Sequence, residues 1–393
     1  MLVVGMIVFL IIFIYIDFRL GMLLYRKRDR SFIATSDHSD VTLYASGEPL
    51  FRQMKRDLRK ANQTIDMQFY TIRNDKISQQ LYQVLDEKHK EGITIRMLVD
   101  WAGSFSFSKK WVNDRFTLKK TNQPSFPWLF SLQQRNHRKL TIIDDDISYL
   151  GGFNVGDEYI DKDNKLGTWR DYHLRIRGPL TQHLQHSFYR DWKEANEQQH
   201  ATDIHQQLQT CLYQEDPLIV LSTDGHQLEE AFLILLQQAN DSIVIGSPYF
   251  IPTKRVLQAL FSAIHRGVAV TVIIPEKGDH LLTKAGAFPF LQQMLDVGAD
   301  VYLYLKGFFH GKVCMIDDKF CDIGTANFDQ RSLLLNQEIN LIVKRSHPLF
   351  ADIERVIKHD MANSKRLTNQ WLKQQPLFMK LLSKLTALFR PLL

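Results

Sequence analysis

Residues 137–154 read HRKLTIIDDDISYLGGFN, and residues 310–327 repeat the same pattern as HGKVCMIDDKFCDIGTAN. Each copy has a His, a Lys two residues later, an Asp seven residues after the His, then a Gly-containing pair and an Asn. The positions are His137, Lys139, Asp144 and Asn154 in the first copy and His310, Lys312, Asp317 and Asn327 in the second. One such motif is a weak signal among 14 histidines. Two copies in register indicate a chain built from two related halves.

The repeat extends beyond these two stretches. Residues 58–72 resemble residues 235–251, where a helix end is followed by a β-branched run and an aromatic pair. Residues 91–100 likewise resemble residues 266–275. The order helix, strand, helix, strand, hairpin therefore occurs twice. Strands that alternate with helices predict an α/β fold with a mixed, largely parallel sheet in each half.

The halves divide in a polar, Gln-rich stretch at about residues 196–216. We therefore predict a first lobe over residues 38–200 and a second over residues 214–365. At 393 residues the chain is long enough for two domain-sized units with their own cores.

The alternation of side chains predicts the geometry of each hairpin. His137 and Lys139 lie on one face of an extended segment, and Leu140 and Ile142 lie on the face toward the core. A turn follows at the Asp. The glycines then let the chain bend so that the final Asn returns beside its own histidine.

Composition limits the class of protein. The net charge is +6 and the sequence pI is about 9.0, which does not indicate a surface that coats nucleic acid. Three cysteines are too few for a disulfide framework and favour a reducing compartment.

The N-terminus is strongly apolar. Residues 2–16 carry no charge, residues 18–24 add length on the far side of Asp17, and residues 26–30 are basic. A signal peptide is disfavoured because no basic residue precedes the apolar run and no small-residue cleavage site follows it. We expect a retained transmembrane anchor over residues 1–25, with the lobes on the cytoplasmic side of the cell membrane. A buried N-terminal helix is the alternative.

The double motif resembles the phospholipase D superfamily, and its flanks are most similar to bacterial cardiolipin synthases. The resemblance covers nearly the whole chain after residue 30. It rests on RNHRK at 135–139, GGFNVGDEY at 151–159, WRDYHLRIRGP at 169–179, SPYFIP at 247–252, GTANFDQRS at 324–332 and LNQEIN at 335–340. It implies two tandem phospholipase D-like α/β/α lobes. Many relatives have two membrane spans, whereas we expect one here.

The resemblance also implies a set of site residues. Two histidines facing one phosphodiester supply a nucleophile and an acid, and His137 is expected to attack while His310 moves the proton. Lys139, Lys312, Asn154 and Asn327 are expected to bind phosphate oxygens. Downstream carboxylates are expected to orient the imidazoles: Asp171, which follows His137, and Glu338, which follows His310. Asp144 and Asp317 belong to the same motifs, and the sequence does not separate a catalytic role from fixing the hairpin. No metal or cofactor is implied.

The implied reaction is transfer of a phosphatidyl group from one phosphatidylglycerol to another. It would release glycerol and pass through a phosphatidyl-histidine intermediate. A hydrolase of the phospholipase D type, or a membrane-tethered phosphodiesterase or nuclease, would carry the same motifs. A non-catalytic lipid-binding scaffold is a third interpretation, but it would not need both His-Lys pairs.

Two further segments suit a membrane partner. Residues 101–139 hold eight Lys or Arg residues and one acid, Asp114, interleaved with aromatic residues. This mixture fits anionic lipid head groups, although it could also stack nucleic-acid bases. An apolar stripe in residues 376–393 predicts an amphipathic C-terminal helix within residues 370–393, either on the membrane surface or packed on the domain. We expect phosphatidylglycerol and anionic membrane lipid as partners, and no nucleic acid.

Overall fold

The computed structural model describes residues 2–27, 29–107, 116–162, 167–193, 204–225 and 227–386. The helices are α1 (Leu2–Lys27), α2 (Gly47–Leu58), α3 (Lys76–Lys90), α4 (Trp128–Gln133), α5 (Leu180–Lys193), α6 (Ile204–Tyr213), α7 (Gln227–Gln237), α8 (Lys254–His265), α9 (Leu281–Asp296), α10 (Gln330–Leu334), α11 (Pro348–Ala362), α12 (Asn369–Lys373) and α13 (Leu377–Thr386).

The strands fall into two large sheets and two short pairs. They are β1 (Phe32–Ser36), β2 (Asp40–Tyr44), β3 (Thr64–Phe69), β4 (Thr94–Asp100), β5 (Thr117–Thr121), β6 (Leu140–Ile143), β7 (Ile147–Gly151), β8 (Trp169–Arg170), β9 (His173–Arg177), β10 (Leu218–Asp224), β11 (Ser242–Gly246), β12 (Phe250–Ile251), β13 (Ala269–Pro275), β14 (Asp300–Tyr304), β15 (Phe308–Phe309), β16 (Val313–Ile316), β17 (Phe320–Gly324), β18 (Phe328–Asp329), β19 (Gln337–Lys344) and β20 (Ser364–Arg366).

The two sheets repeat one topology. The first has the order β2-β9-β7-β6-β3-β4-β5, and the second has the order β1-β10-β19-β17-β16-β11-β13-β14-β20. Each hairpin that contains a motif Asp supplies two adjacent central strands, β6 with β7 and β16 with β17. The internal duplication read from the sequence is therefore a duplication of a folded unit.

The prediction of largely parallel sheets is wrong. Among the described strands, parallel pairing in the first sheet is limited to β3 with β4 and β4 with β5, and the other neighbours are antiparallel. The second sheet is parallel only at β11 with β13 and β13 with β14. Parallel neighbours need a long crossover, whereas β6 returns directly as β7 and β16 returns directly as β17, which makes these neighbours antiparallel.

The packing is layered. Side chains of α2 and α3 pack with one face of the first sheet, and α6 to α9 pack with one face of the second. Between the sheets lies one shared core, built from the inner faces of both sheets together with α5 and α11. The two lobes therefore share buried apolar surface rather than meeting through a thin interface.

The first two strands, β1 and β2, belong to different sheets. Strand β1 pairs with β10 in the second sheet, although it precedes the whole first lobe in the chain. Strand β2, which begins four residues after β1 ends, pairs with β9 in the first sheet. The predicted seam between the lobes falls partly at residues 194–203, outside the described residues.

The N-terminal prediction needs correction. Within the described part of the chain, no helix has both the length and the apolar character to cross a bilayer, and the expected transmembrane anchor over residues 1–25 is not confirmed. The C-terminal half of α1 instead packs on α4, with Gly21 and Tyr25 buried beside the Phe130 ring. Several apolar side chains nearer its start are exposed, among them Phe9 and Phe13.

The C-terminal helix has one face packed on the domain and one face exposed. Helix α13 packs against α9 and buries Met379 in the second-lobe core. Its other face exposes four large apolar side chains: Leu377, Phe378, Leu381 and Leu385. The last residues of the predicted stripe, 387–393, lie outside the described residues.

Candidate active site

Both motif histidines lie just before the first strand of their hairpin. At this point the backbone pairs with a segment of the other lobe. The His137 backbone N–H donates to the Gln337 carbonyl at 2.9 Å, and the Gln337 N–H donates to the Arg135 carbonyl at 2.9 Å. We call this pair of bonds the inter-lobe bridge. In the second copy, the His310 N–H donates to the Arg170 carbonyl at 2.6 Å. Each histidine is therefore paired with a segment of the opposite lobe.

This backbone pairing exchanges the orienting carboxylates. The Nδ1 atom of His137 lies 3.0 Å from both carboxylate oxygens of Glu338, and Nδ1 of His310 lies 2.6 Å from Oδ2 of Asp171. Sequence order had associated Asp171 with His137 and Glu338 with His310. The two carboxylates were found correctly, but each serves the histidine of the other lobe. This arrangement leaves Nε2 of each ring on the side away from its carboxylate. Nε2 of His310 lies 3.2 Å from Lys312 Nζ.

The two carboxylates are held differently. The Thr325 hydroxyl donates to Glu338 at 2.6 Å. Asp171 accepts from the Tyr172 backbone N–H at 2.8 Å. Gly152 occupies the position equivalent to Thr325, and a Cβ there would lie 2.0 Å from the Asp171 carboxylate. Only glycine therefore fits against Asp171 without a shift.

The two motif lysines are buried behind the imidazoles. Lys139 Nζ donates to the His137 carbonyl at 2.6 Å, and Lys312 Nζ donates to the His310 carbonyl. Lys312 Nζ is also 3.6 Å from Asp171 Oδ2. The imidazoles keep slight exposure, 9% for His137 and 7% for His310. The site therefore holds buried cations with two imidazoles at its opening.

Burial sets the charge state of the site before substrate binds. It lowers the pKa of His310 to about 4, with the Lys312 ammonium adding to the effect, and it lowers the pKa of His137 despite the neighbouring Glu338. It also lowers the pKa of Lys139 to about 7 and that of Lys312 to about 8. Both imidazoles are therefore neutral at neutral pH. An incoming phosphodiester anion would favour their protonated forms.

Burial acts on the pKa of the two carboxylates in the opposite sense, but neighbouring groups outweigh it. Burial acts to raise the pKa of Asp171, and Lys312 and His310 more than offset this, so its pKa lies below the usual value. For Glu338, His137 outweighs burial in the same way and the pKa of that carboxyl is lowered. Both carboxylates are therefore ionised and can stabilise an imidazolium during a proton transfer.

Aromatic rings wall the imidazoles. The Tyr70 ring meets His137 edge-on at 5.2 Å between centroids, and Trp169 lies 4.9 Å from His310. Phe308 adds a second ring at 5.6 Å from His310. Such walls restrict water around a reactive intermediate.

The two motif asparagines are hydrogen-bonded within their own lobes. Asn154 accepts from the Thr71 backbone N–H at 3.1 Å and donates to the Tyr159 hydroxyl at 3.3 Å. Asn327 donates to Asp329 at 3.1 Å, and its buried Oδ1 has no hydrogen-bond partner among the residues that the structure describes. Their expected role in binding phosphate oxygens stays a prediction.

The two motif aspartates do not lie with the histidines. Asp144 accepts from the backbone N–H groups of residues 62–64 at 2.6 to 2.9 Å, and Asp317 accepts from residues 240–242 at 2.8 to 3.3 Å. Strand β6 separates Asp144 from His137 by about 20 Å of extended chain. A catalytic role for these aspartates is therefore wrong, because each fixes its hairpin to the start of β3 or β11.

A buried ionic network beneath the site was not predicted from the sequence. Arg138, between His137 and Lys139, binds Asp191 of its own lobe through Nη1 at 2.8 Å to both carboxylate oxygens. Its Nη2 donates to Asp224 of the second lobe at 2.8 Å. The sequence did contain a signal for this network. A basic residue stands between the motif His and Lys, and acids stand at the ends of α5 and β10.

The chain is similar to proteins of a known family. The family model described as "Cardiolipin synthase, PLD-like domain" matches residues 54–192 and 232–361. The chain belongs to this family.

Curated relatives extend the likeness to nearly the full length. The minor cardiolipin synthase ClsB of Bacillus subtilis is 36% identical over 373 residues, which cover 93% of each chain. The major cardiolipin synthase ClsA of the same organism is 32% identical over 371 residues, covering 92% of this chain and 77% of that protein.

Solved structures share the fold. The phosphatidylserine synthase of Haemophilus influenzae superposes with a TM-score of 0.70 at 16% identity, over 92% of this chain and 97% of that one. A polyphosphate kinase from Porphyromonas gingivalis gives a TM-score of 0.55 at 12% identity, over 90% of this chain and 53% of that one. The two-lobed architecture therefore recurs in proteins of distant sequence.

Proposed function

We propose that this protein is a cardiolipin synthase. It transfers the phosphatidyl group of one phosphatidylglycerol to a second and releases glycerol. One observation carries the proposal: two imidazoles, each with Nδ1 on a carboxylate of the opposite lobe and each backed by a buried lysine. Membership of the cardiolipin synthase family supports the choice of substrate.

In the first step, Nε2 of His137 attacks the phosphorus of phosphatidylglycerol. A phosphorus–nitrogen bond forms as the bond to the glycerol oxygen breaks. Protonated His310 gives its Nε2 proton to that oxygen, and neutral glycerol leaves. The phosphodiester anion raises the pKa of His310 in the complex, so that its imidazole takes up a proton from solvent before the first step.

In the second step, His310 accepts the proton of a glycerol hydroxyl on another phosphatidylglycerol. The resulting oxygen attacks phosphorus, the phosphorus–nitrogen bond breaks, and cardiolipin forms with His137 restored. Glu338 and Asp171 hold the imidazoles in the tautomer that these two reaction steps need.

The buried lysines stabilise the charge that develops on phosphorus. Lys139 and Lys312 are the two motif ammonium groups beside the imidazoles, and the phosphodiester anion favours their charged form. Asn154 and Asn327 add amide donors if their present hydrogen bonds are exchanged for phosphate oxygens.

We further propose that the site opens on a lipid surface. Exposed apolar side chains follow the loops that border it, and we call them the apolar rim: Phe105, Phe126, Trp128, Leu281 and Leu282. Phe105, which is 70% exposed, lies on the turn packed against Tyr70 at Gly103. Leu281, which is 60% exposed, follows Asp279, whose carboxylate accepts from the Tyr249 hydroxyl. The rim thus has members from both lobes.

Helices α1 and α13, at the two ends of the chain, also support a protein that lies against a lipid surface. Helix α1 exposes apolar side chains and ends with the exposed cations Arg26 and Lys27. Helix α13 exposes its leucine face beside Lys380 and Lys384. Apolar surface next to cations fits an anionic membrane, where phosphatidylglycerol resides.

The test is a product analysis. Purified protein is mixed with vesicles of labelled phosphatidylglycerol, without added metal, and lipids and free glycerol are counted. We expect one glycerol for each cardiolipin, and no turnover in His137→Ala or His310→Ala. The matched control, His265→Ala at an exposed helix end, should be fully active. Phosphatidic acid as the main lipid product, or normal turnover in either motif variant, would refute the proposal.

The same variants separate the two histidines. With bis(p-nitrophenyl) phosphate, whose p-nitrophenolate leaving group needs no proton, a phosphoryl-protein adduct should accumulate in His310→Gln, and it should never form in His137→Ala. An adduct in His137→Ala would reverse the assignment of roles.

A further inference from the structure

Helix α1 is docked where the two lobes meet. Its Tyr25 side chain is buried with Phe130 of α4 and Leu335, the residue that follows α10. A Cβ at Gly21 would lie 2.2 Å from the Phe130 ring, so this turn of α1 is in tight contact with α4. Helix α4 belongs to the first lobe and α10 to the second. One helix therefore touches both halves of the protein at one place.

A buried carboxylate fixes this contact. Asp17 is 4% exposed, and its Oδ1 accepts from the Phe130 backbone N–H at 2.8 Å. Its Oδ2 has no hydrogen-bond partner in the part of the chain that the structure describes. A half-satisfied buried carboxylate destabilises a fold, so its presence needs a reason other than stability.

The segments that α1 contacts lead directly to the site. Five residues after Phe130 the chain reaches Arg135, which donates to the Ser131 carbonyl at 2.7 Å, and then His137. On the other side, Leu335 is two residues before Gln337, which closes the inter-lobe bridge. A shift of α4 relative to α10 would therefore move the His137 backbone relative to that of Glu338.

We infer that Asp17 is a positioning residue for the transfer reaction: by holding α4 through Phe130, it sets the alignment of His137 with Glu338. The inference deepens the proposed function and rests on it. Helix α1 also carries exposed apolar side chains, so the element that contacts lipid is the element that aligns the imidazole.

The test separates alignment from membrane binding. Asp17→Ala removes the acceptor, and Asp17→Asn keeps an oxygen that can accept from the Phe130 N–H. The matched control is Asp352→Ala, which changes an aspartate on α11 whose side chain is 44% exposed. Each variant is assayed on bis(p-nitrophenyl) phosphate, a soluble phosphodiester, and on phosphatidylglycerol vesicles, with the vesicle-bound fraction measured by co-sedimentation.

We expect Asp17→Ala to lower kcat on the soluble diester about tenfold or more, because small displacements of reacting groups have large effects on rate. KM and the vesicle-bound fraction should stay unchanged, and Asp17→Asn should recover most of the rate. An unchanged kcat in Asp17→Ala would overturn the inference, as would a loss of vesicle binding with normal turnover of the soluble diester.

Two further results are informative. If Asp17→Ala does not fold, Asp17→Glu keeps the carboxylate and displaces the contact by one methylene; an unchanged kcat in that variant would equally overturn the inference. If the wild type cleaves the soluble diester but makes no cardiolipin, the proposed function fails on its own, and the kcat of the Asp17 variants still decides the role of Asp17.

Discussion

Asp171→Asn tests the proposed role of His310 and its carboxylate most directly. One carboxylate oxygen of Asp171 accepts from the Tyr172 backbone N–H at 2.8 Å, and the other lies 2.6 Å from His310 Nδ1. A backbone N–H can only donate, so the amide oxygen of the new side chain must face Tyr172, and its NH₂ must face His310. The imidazole is then driven to the tautomer that carries its proton on Nε2.

That tautomer prevents His310 from working as a base in the second step. The missing negative charge also removes the group that stabilises the imidazolium in the first step. The equivalent loss in a Ser-His-Asp site lowers kcat about 10⁴-fold. We therefore expect Asp171→Asn to lower kcat by about 10³- to 10⁴-fold, which corresponds to about 4 to 5.5 kcal/mol in the barrier. Rotation of the new side chain cannot restore the original arrangement, because Gly152 packs directly against it.

The assay is steady-state cardiolipin formation from labelled phosphatidylglycerol, with circular dichroism and thermal unfolding to check the fold. The matched control is Asp352→Asn, at an aspartate on α11 whose side chain is 44% exposed and pairs with Arg355, and it should keep wild-type kcat. A folded Asp171→Asn protein that retains more than a tenth of wild-type kcat would refute the assignment of His310 and its carboxylate.

Four other outcomes follow from the geometry. Lys139→Met should lower kcat at least 100-fold with little change in vesicle binding, measured by co-sedimentation, because a buried ammonium next to the phosphate is lost. Asp317→Asn should lower the free energy of unfolding by about 1 to 3 kcal/mol, measured with urea, and should lower kcat far less than His310→Ala does. Burial lowers the pKa of His310 to about 4, below the ordinary value of 6.5, so the unfolded chain binds more protons between these values. The unfolding temperature should therefore fall as the pH is lowered from 6.5 to 4, and this fall should be smaller in His310→Gln. Replacing Leu381 and Leu385 by Ser should lower the vesicle-bound fraction and leave turnover of a soluble diester unchanged.

Both His-Lys pairs could be named from the sequence because the motif repeats, and Asp171 and Glu338 could be named from the family resemblance. In the structure each of these carboxylates lies against a motif histidine. The exchange of carboxylates between lobes could not be read, because it depends on which backbone segments pair across the boundary. The bond from the His137 N–H to Gln337 joins residues 200 positions apart in the chain.

Other parts of the fold were mispredicted for identifiable reasons. Alternating helices and strands suggested parallel sheets, but β6 returns directly as β7 and makes that part of the sheet antiparallel. The membrane span expected from the apolar N-terminal run is not confirmed among the described residues, and in α1 Asp17 and Gly21 fit closely against α4. Local hydrophobicity does not distinguish a face that contacts protein from one that contacts lipid.

The placement of β1 and β2 limits how the enzyme can admit its substrate. The two strands belong to different sheets, yet only residues 37–39 connect them. Three residues reach about 10 Å at full extension, so this link keeps the joined edges of the two sheets close together while both strands stay paired. The core that both sheets share restrains the rest of the boundary. The two histidines would therefore keep their relative positions when a substrate enters.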